Sequence, residues 1–176
     1  MMDDHLQNLH SDNPSDRFRA FRGLMDDYDP HVGSELVSAL IREKAPGVWW
    51  LASLCVLPIW LPVFDRELTQ HPEWPFSGSQ TLRLLDLAKR HPLHSAAPHA
   101  DSWLQGTDWA FRFAAFRWYK VGGIMQQAHD AAVFLLETLD SFAVNQRELD
   151  ECSWMDDFAD PVARRQELLQ YLDDYM

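Results

Sequence analysis

One uncharged run constrains what this chain can fold into. Residues 48–64, VWWLASLCVLPIWLPVF, contain no charge, and only Ser53, Pro58 and Pro62 interrupt the apolar side chains. A membrane-spanning helix needs about 20 such residues. A helix of this length reaches only about 26 Å at 1.5 Å per residue, short of a hydrocarbon core about 30 Å thick. Pro58 and Pro62 each remove a backbone donor, and the flanking charges show no strong asymmetry. The run therefore predicts a core helix over 46–57, apolar all round because neighbours cover each face. A proline-stiffened extended piece is expected after it.

The rest of the chain supplies helices to cover that core. Asn13-Pro14 and Asp29-Pro30 pair a good N-cap with a proline at the first helical position. Phe18, Phe21, Met25 and Tyr28 then recur at near-helical spacing as one apolar stripe, with Arg17, Arg19 and Arg22 on a solvated face. Leu36, Val37, Leu40 and Ile41 form the buried face of a second helix, which Ala45-Pro46-Gly47 ends. Connections this short predict near-antiparallel neighbours.

Farther on, His71 to Gly78 reads as an ordered loop anchored by Trp74 and Phe76. Ser79 is read as the cap of the next helix, and residues 91–100, HPLHSAAPHA, as a second loop. Trp109, Phe113 and Phe116 form one stripe and Phe111 and Trp118 another. A helix with aromatics on both sides is sandwiched between layers or exposes one side. Gly122-Gly123 marks a hinge or cap, and residues 124–143 make the cleanest amphipathic helix. The fold class is all-α, a single-domain multi-helix bundle over 1–176 with residues 1–12 frayed or in one short helix.

Asp29-Pro30-His31-Val32, followed by the Leu36, Leu40, Ile41 face, resembles the turn and second helix of a HEAT-type repeat, over residues 13–57. Gly33 and Ser34 stand where that family often carries an arginine. The resemblance implies antiparallel helix pairs and a scaffold that binds another macromolecule; it implies no catalytic residue. Asp160-Pro161 gives the same start signal a third time. The first two caps are only 16 residues apart, too close for a repeat unit of 20–50 residues.

Charge narrows the function. The net charge is −12, with −4 over residues 1–29, −1 over 30–147 and −7 over 148–176. Such a field disfavours nucleic acid and anionic membranes and favours basic partners. The first residues, Met-Met-Asp-Asp-His, carry no signal-peptide pattern. Two cysteines make no disulfide framework, and cytoplasmic residence is expected. Cys55 lies in the apolar run as a small hydrophobe, and Cys152 sits among acids that raise a thiol pKa.

No catalytic residue or cofactor is expected, since no P-loop, dinucleotide fingerprint, nucleophile elbow or zincin motif occurs. The candidate metal ligands are His91, His94, His99 and Asp101, whose spacing matches no established zinc signature. The candidate binding surface is Trp154, Met155, Asp156, Asp157, Phe158 and Asp160, where aromatics interleave with acids. Burial of Trp154 and Phe158 against the core competes with that assignment. The expected function is a protein-binding module with a basic partner, in concrete form an immunity protein of a toxin–antitoxin pair. The alternatives are a chaperone or adaptor for a secreted effector, and an enzyme or metal-binding protein using residues 91–101.

Overall fold

The computed structural model describes residues 2–138 and 161–175, and they are all-helical. The chain divides into two compact units. The first comprises Met1–Phe76 with Asp86–Lys89 and Leu93–Ser95; the second comprises Ser77–Leu85, Arg90–Pro92 and Ala96–Met176.

In the first unit α1 (Met2–Asn8), α2 (Pro14–Leu24), α3 (Pro30–Arg42) and α4 (Pro46–Leu68) follow in order. The start signals act as expected. The Asn13 side chain accepts from the Ser15 amide, and that of Asp29 from the His31 amide. Both α2 and α3 pack on α4, so the uncharged run is the element that the others cover. Val48, Trp49, Ala52, Ser53, Cys55 and Val56 are buried on several sides of it. The Ser53 hydroxyl satisfies itself within the helix by donating to the Trp50 carbonyl at 2.7 Å.

The expected extended piece after residue 57 is not extended. Helix resumes at once, and the halves Pro46–Val56 and Ile59–Leu68 meet at 115°. A proline in the sequence at this point accounts for the break, since proline has no backbone N–H to give the helix. Beyond the bend the chain returns to helix and buries Phe64 and Leu68. Among the described residues no single helix is long and apolar enough to cross a membrane.

Phe76 anchors the 71–77 loop as expected. Its ring stacks on Phe64 at 5.9 Å and meets Trp49 and Trp74 edge-on at 6.1 and 5.8 Å. Asp65, at the end of α4, accepts from the backbone amides of His94 and Ser95 at 3.1 and 2.8 Å. A buried carboxylate thus caps the 3-10 turn His94–Ala96, using both of its oxygens.

In the second unit α5 begins (Gly78–Ala88, which ends in the first unit), followed by α6 (Ala97–Gln105), α7 (Trp109–Val121), α8 (Met125–Thr138) and α9 (Pro161–Asp174). The cap of α5 is Ser77, not Ser79. Ser77 Oγ accepts from the Gln80 amide, and Gln80 Oε1 accepts from the Ser77 amide, a reciprocal capping box. Gly78 follows because a Cβ there would stand 2.8 Å from Asp108 Oδ1 and 2.9 Å from the Phe111 amide. Helix α7 packs on both α6 and α8, which answers its two aromatic stripes. Trp109, Phe113, Phe116, Trp118 and Tyr119 are all buried.

Gly122-Gly123 is a cap. Ile124 N–H donates to the Tyr119 carbonyl and Gly123 N–H to that of Lys120, and Gly123 has φ +70°, the Schellman arrangement. Among the described residues Lys89, φ +55°, just after α5, is also left-handed. Its side chain is exposed. Lys89→Gly is expected to raise stability by about 0.5–1 kcal/mol, read as a higher urea midpoint at unchanged m, because glycine adopts positive φ without steric cost.

Ion pairs tie helices together in each unit. In the second unit Arg117 of α7 donates to Glu167 of α9 at 2.8 Å, and the Arg164 guanidinium lies 4.0 Å over the Trp109 ring. In the first unit Arg17 of α2 forks onto Glu43 with Nε and Nη2 at 2.7 and 2.8 Å. The expectation that Arg17 belongs to a solvated face is corrected by this pair; Arg19 and Arg22 are exposed.

Candidate functional site

The outer face of α2 and the turn after it form the surface with the clearest binding character. Helix α2 buries Ala20, Phe21 and Leu24. That leaves Phe18 and Met25, seven residues apart and so on one side of the helix, each 38 % exposed. Arg22 stands between them. Tyr28, in the turn, is 68 % exposed. The single stripe expected from Phe18, Phe21, Met25 and Tyr28 is therefore split: only Phe21 faces the core. The sequence held the signal. Ala20, Phe21 and Leu24 offer the i, i+1, i+4 face that packing prefers, and Tyr28 sits inside Asp26-Asp27-Tyr28-Asp29, where burial would strand three carboxylates.

The turn is built rigidly. The Asp27 side chain accepts from the Asp29 amide at 3.0 Å, and the Asp29 side chain from the His31 amide at 2.8 Å. Asp26 is exposed, and among the described residues neither Asp26 nor Asp27 has a basic partner. Their negative field meets the solvent beside an aromatic ring and a thioether.

Behind this face lies Cys55, whose thiol contacts the Phe21 carbonyl at 3.7 Å. Burial first, and the Asp26 charge second, push its pKa up to about 11. It stays a neutral core thiol.

The six residues expected to form the binding surface, Trp154, Met155, Asp156, Asp157, Phe158 and Asp160, lie outside the described residues, as does Cys152. The segment holding the candidate metal ligands is described, and it is not the loop expected. Helix α6 begins at Ala97, ahead of Asp101 where helix was expected to resume, which places His99 on a helix as well as Asp101. His91, His99 and Asp101 belong to the second unit and His94 to the first. The His99 ring stacks on that of Trp103, one turn on, with centroids 6.0 Å apart. Asp101 accepts a hydrogen bond from the buried Tyr119 hydroxyl. Burial, and then the Asp101 carboxylate, push the Tyr119 phenol well above its ordinary value, so the phenol remains a donor. The backbone of His94 is taken up by the Asp65 cap.

Fold and surface together define a class: an all-helical protein in two contact units, bearing an acidic surface with exposed aromatic and thioether groups. Comparison with protein families, with curated proteins and with solved structures finds no match. The HEAT-type likeness of residues 13–57 accordingly rests on sequence pattern alone.

Proposed function

We propose that the protein is a non-enzymatic binding module whose partner is a basic protein. In its concrete form it is an immunity protein that neutralises a cognate toxin or secreted effector. The observation that carries this reading is Tyr28, 68 % exposed among Asp26, Asp27 and Asp29, with Phe18 and Met25 on the face leading to it. Carboxylates steer a cationic partner into encounter, and tyrosine is among the residues that anchor interfaces. The net charge of −12 extends the same field over the chain. On sequence grounds Trp154, Met155, Asp156, Asp157, Phe158 and Asp160 form a second part of the contact surface.

The test is affinity capture from the native host with wild-type and Tyr28→Ala chains. One basic partner, released by raised salt, is the expected result. Tyr28→Ala leaves folding stability within about 0.5 kcal/mol, as for exposed positions generally, and weakens capture by roughly tenfold or more, the size of an anchor lost from an interface. Capture of several unrelated clients would instead favour a chaperone or adaptor. Failure to retain any basic protein at low salt would end the binding reading.

A further inference from the structure

A cleft of about 350 Å³ opens in the first unit between residues 10–12 and the end of α3. That volume is at the lower end of the range for small-ligand sites, about 300–1,000 Å³. Its wall is basic in an acidic protein. Arg17, Arg42 and Lys44 line it together with Asp12, Glu43 and His10.

The polar capacity of that wall is largely spent on one side only. The Glu43 carboxylate, its side chain 1 % exposed, accepts from Arg17 Nε and Nη2 and from the amides of Lys44 and Ala45. Arg17 Nη1 donates to the carbonyls of Ser11 and Asp12. Both His10 ring nitrogens are engaged, one with Glu35 Oε2 and one with Arg42 Nη2, each at 3.3 Å. The donors left are Arg42 Nη1 and the Lys44 ammonium, neither of which has a partner among the described residues. The uncommitted acceptor is the Asp12 carboxylate, whose charge acts on Arg17.

Backbone geometry puts the two free cations on the cleft rim. Glu43 is extended, φ −66° and ψ 129°. Its side chain turns inward while Arg42 and Lys44 on either side remain exposed.

We propose that this cleft binds a small phosphate-bearing ligand, with Arg42 and Lys44 as its anion-holding residues. With Arg42 Nε on the Ser38 carbonyl and Nη2 on His10, Nη1 is left to donate to a phosphate oxygen, and the Lys44 ammonium adds a compact point charge. The buried Arg17–Glu43 pair beneath is neutral overall and serves as a rigid floor. Of the two acids that line the cleft, Glu43 is paired with Arg17 and Asp12 opposes the ligand. The site does not depend on the protein-partner reading.

Titration of the full chain with inorganic phosphate, by NMR at ionic strength held constant with chloride, tests it. Saturable one-to-one binding is expected. Arg42→Gln/Lys44→Gln weakens it by about tenfold or more at an unchanged thermal midpoint, since both side chains are exposed. Asp12→Asn tightens it, because a repelling charge is removed, and this second variant decides the matter should the first lose stability. A titration that never saturates, or a double variant and an Asp12→Asn chain that both bind as wild type does, overturns the proposal.

Discussion

Glu43→Ala is expected to destabilise the first unit by about 3–5 kcal/mol, the cost of leaving one partner of a buried ion pair unanswered. Few single changes in this chain reach that size. The Glu43 side chain is 1 % exposed and that of Arg17 18 %, so neither charge is well hydrated once its partner is gone. The loss extends beyond the pair. Glu43 also holds the amides of Lys44 and Ala45 at the entrance to α4, and Arg17 holds the carbonyls of Ser11 and Asp12 ahead of α2. One carboxylate thus fixes the linker between α3 and α4 and, through Arg17, the approach to α2. Urea denaturation measures the loss. Arg17→Met/Glu43→Leu, which removes both charges, should recover much of it, because well-packed apolar pairs replace buried ion pairs at little cost.

The same pair sets a pH dependence. Burial pushes the Glu43 pKa up, but the Arg17 hydrogen bonds and charge, with the amides of Ala45 and Lys44, outweigh it and leave the carboxyl below its ordinary value of 4.5. A carboxyl depressed in the folded state contributes stability in full above its unfolded pKa. That contribution is lost as pH falls through the folded value. The stability difference between wild type and Glu43→Gln should therefore be constant near neutrality and shrink below about pH 4.5. A difference that grows on acidification would show that the pair is not ionised as drawn.

Gly33→Ala is the second large effect, expected to cost about 2–3 kcal/mol, as overpacking of a tight interior does. A Cβ on Gly33 would lie 2.5 Å from Cε2 and Cε3 of the Trp60 indole. A fused ring cannot turn aside as a flexible chain end can, so α3 or the second half of α4 must move. The intrinsic gain of alanine over glycine in a helix, about 1 kcal/mol, is not enough to offset it. Trp60→Leu should rescue the variant in a double-mutant cycle, giving a coupling that simple helix propensity cannot produce. Equal stability of Gly33→Ala and wild type would mean that the indole does not rest on α3.

Much of the fold is readable from local chemistry. Asn13-Pro14 and Asp29-Pro30 start helices where a cap and a proline dictate, since both act within a few residues. The uncharged run had to be covered, because no arrangement in water leaves Trp49, Cys55 and Val56 exposed without cost. The two aromatic stripes around Phe113 and Trp118 required neighbours on both sides of α7. Where local signals compete, the sequence is silent. Pro58 and Pro62 announce a disturbance but not whether helix resumes after it. Ser77 and Ser79 are equally good caps until Gln80 chooses one.

What the chain determined by itself is its helical class, its core run and its acidity, each a property of composition or of spacing within one element. Tertiary structure alone decided that Arg17 faces Glu43 across 26 positions and that Asp65 caps a turn near residue 94. The physical reason is the same in each case. A side chain's worth depends on whether a partner from a distant segment arrives to replace water, and no periodicity within one helix records which segment that is.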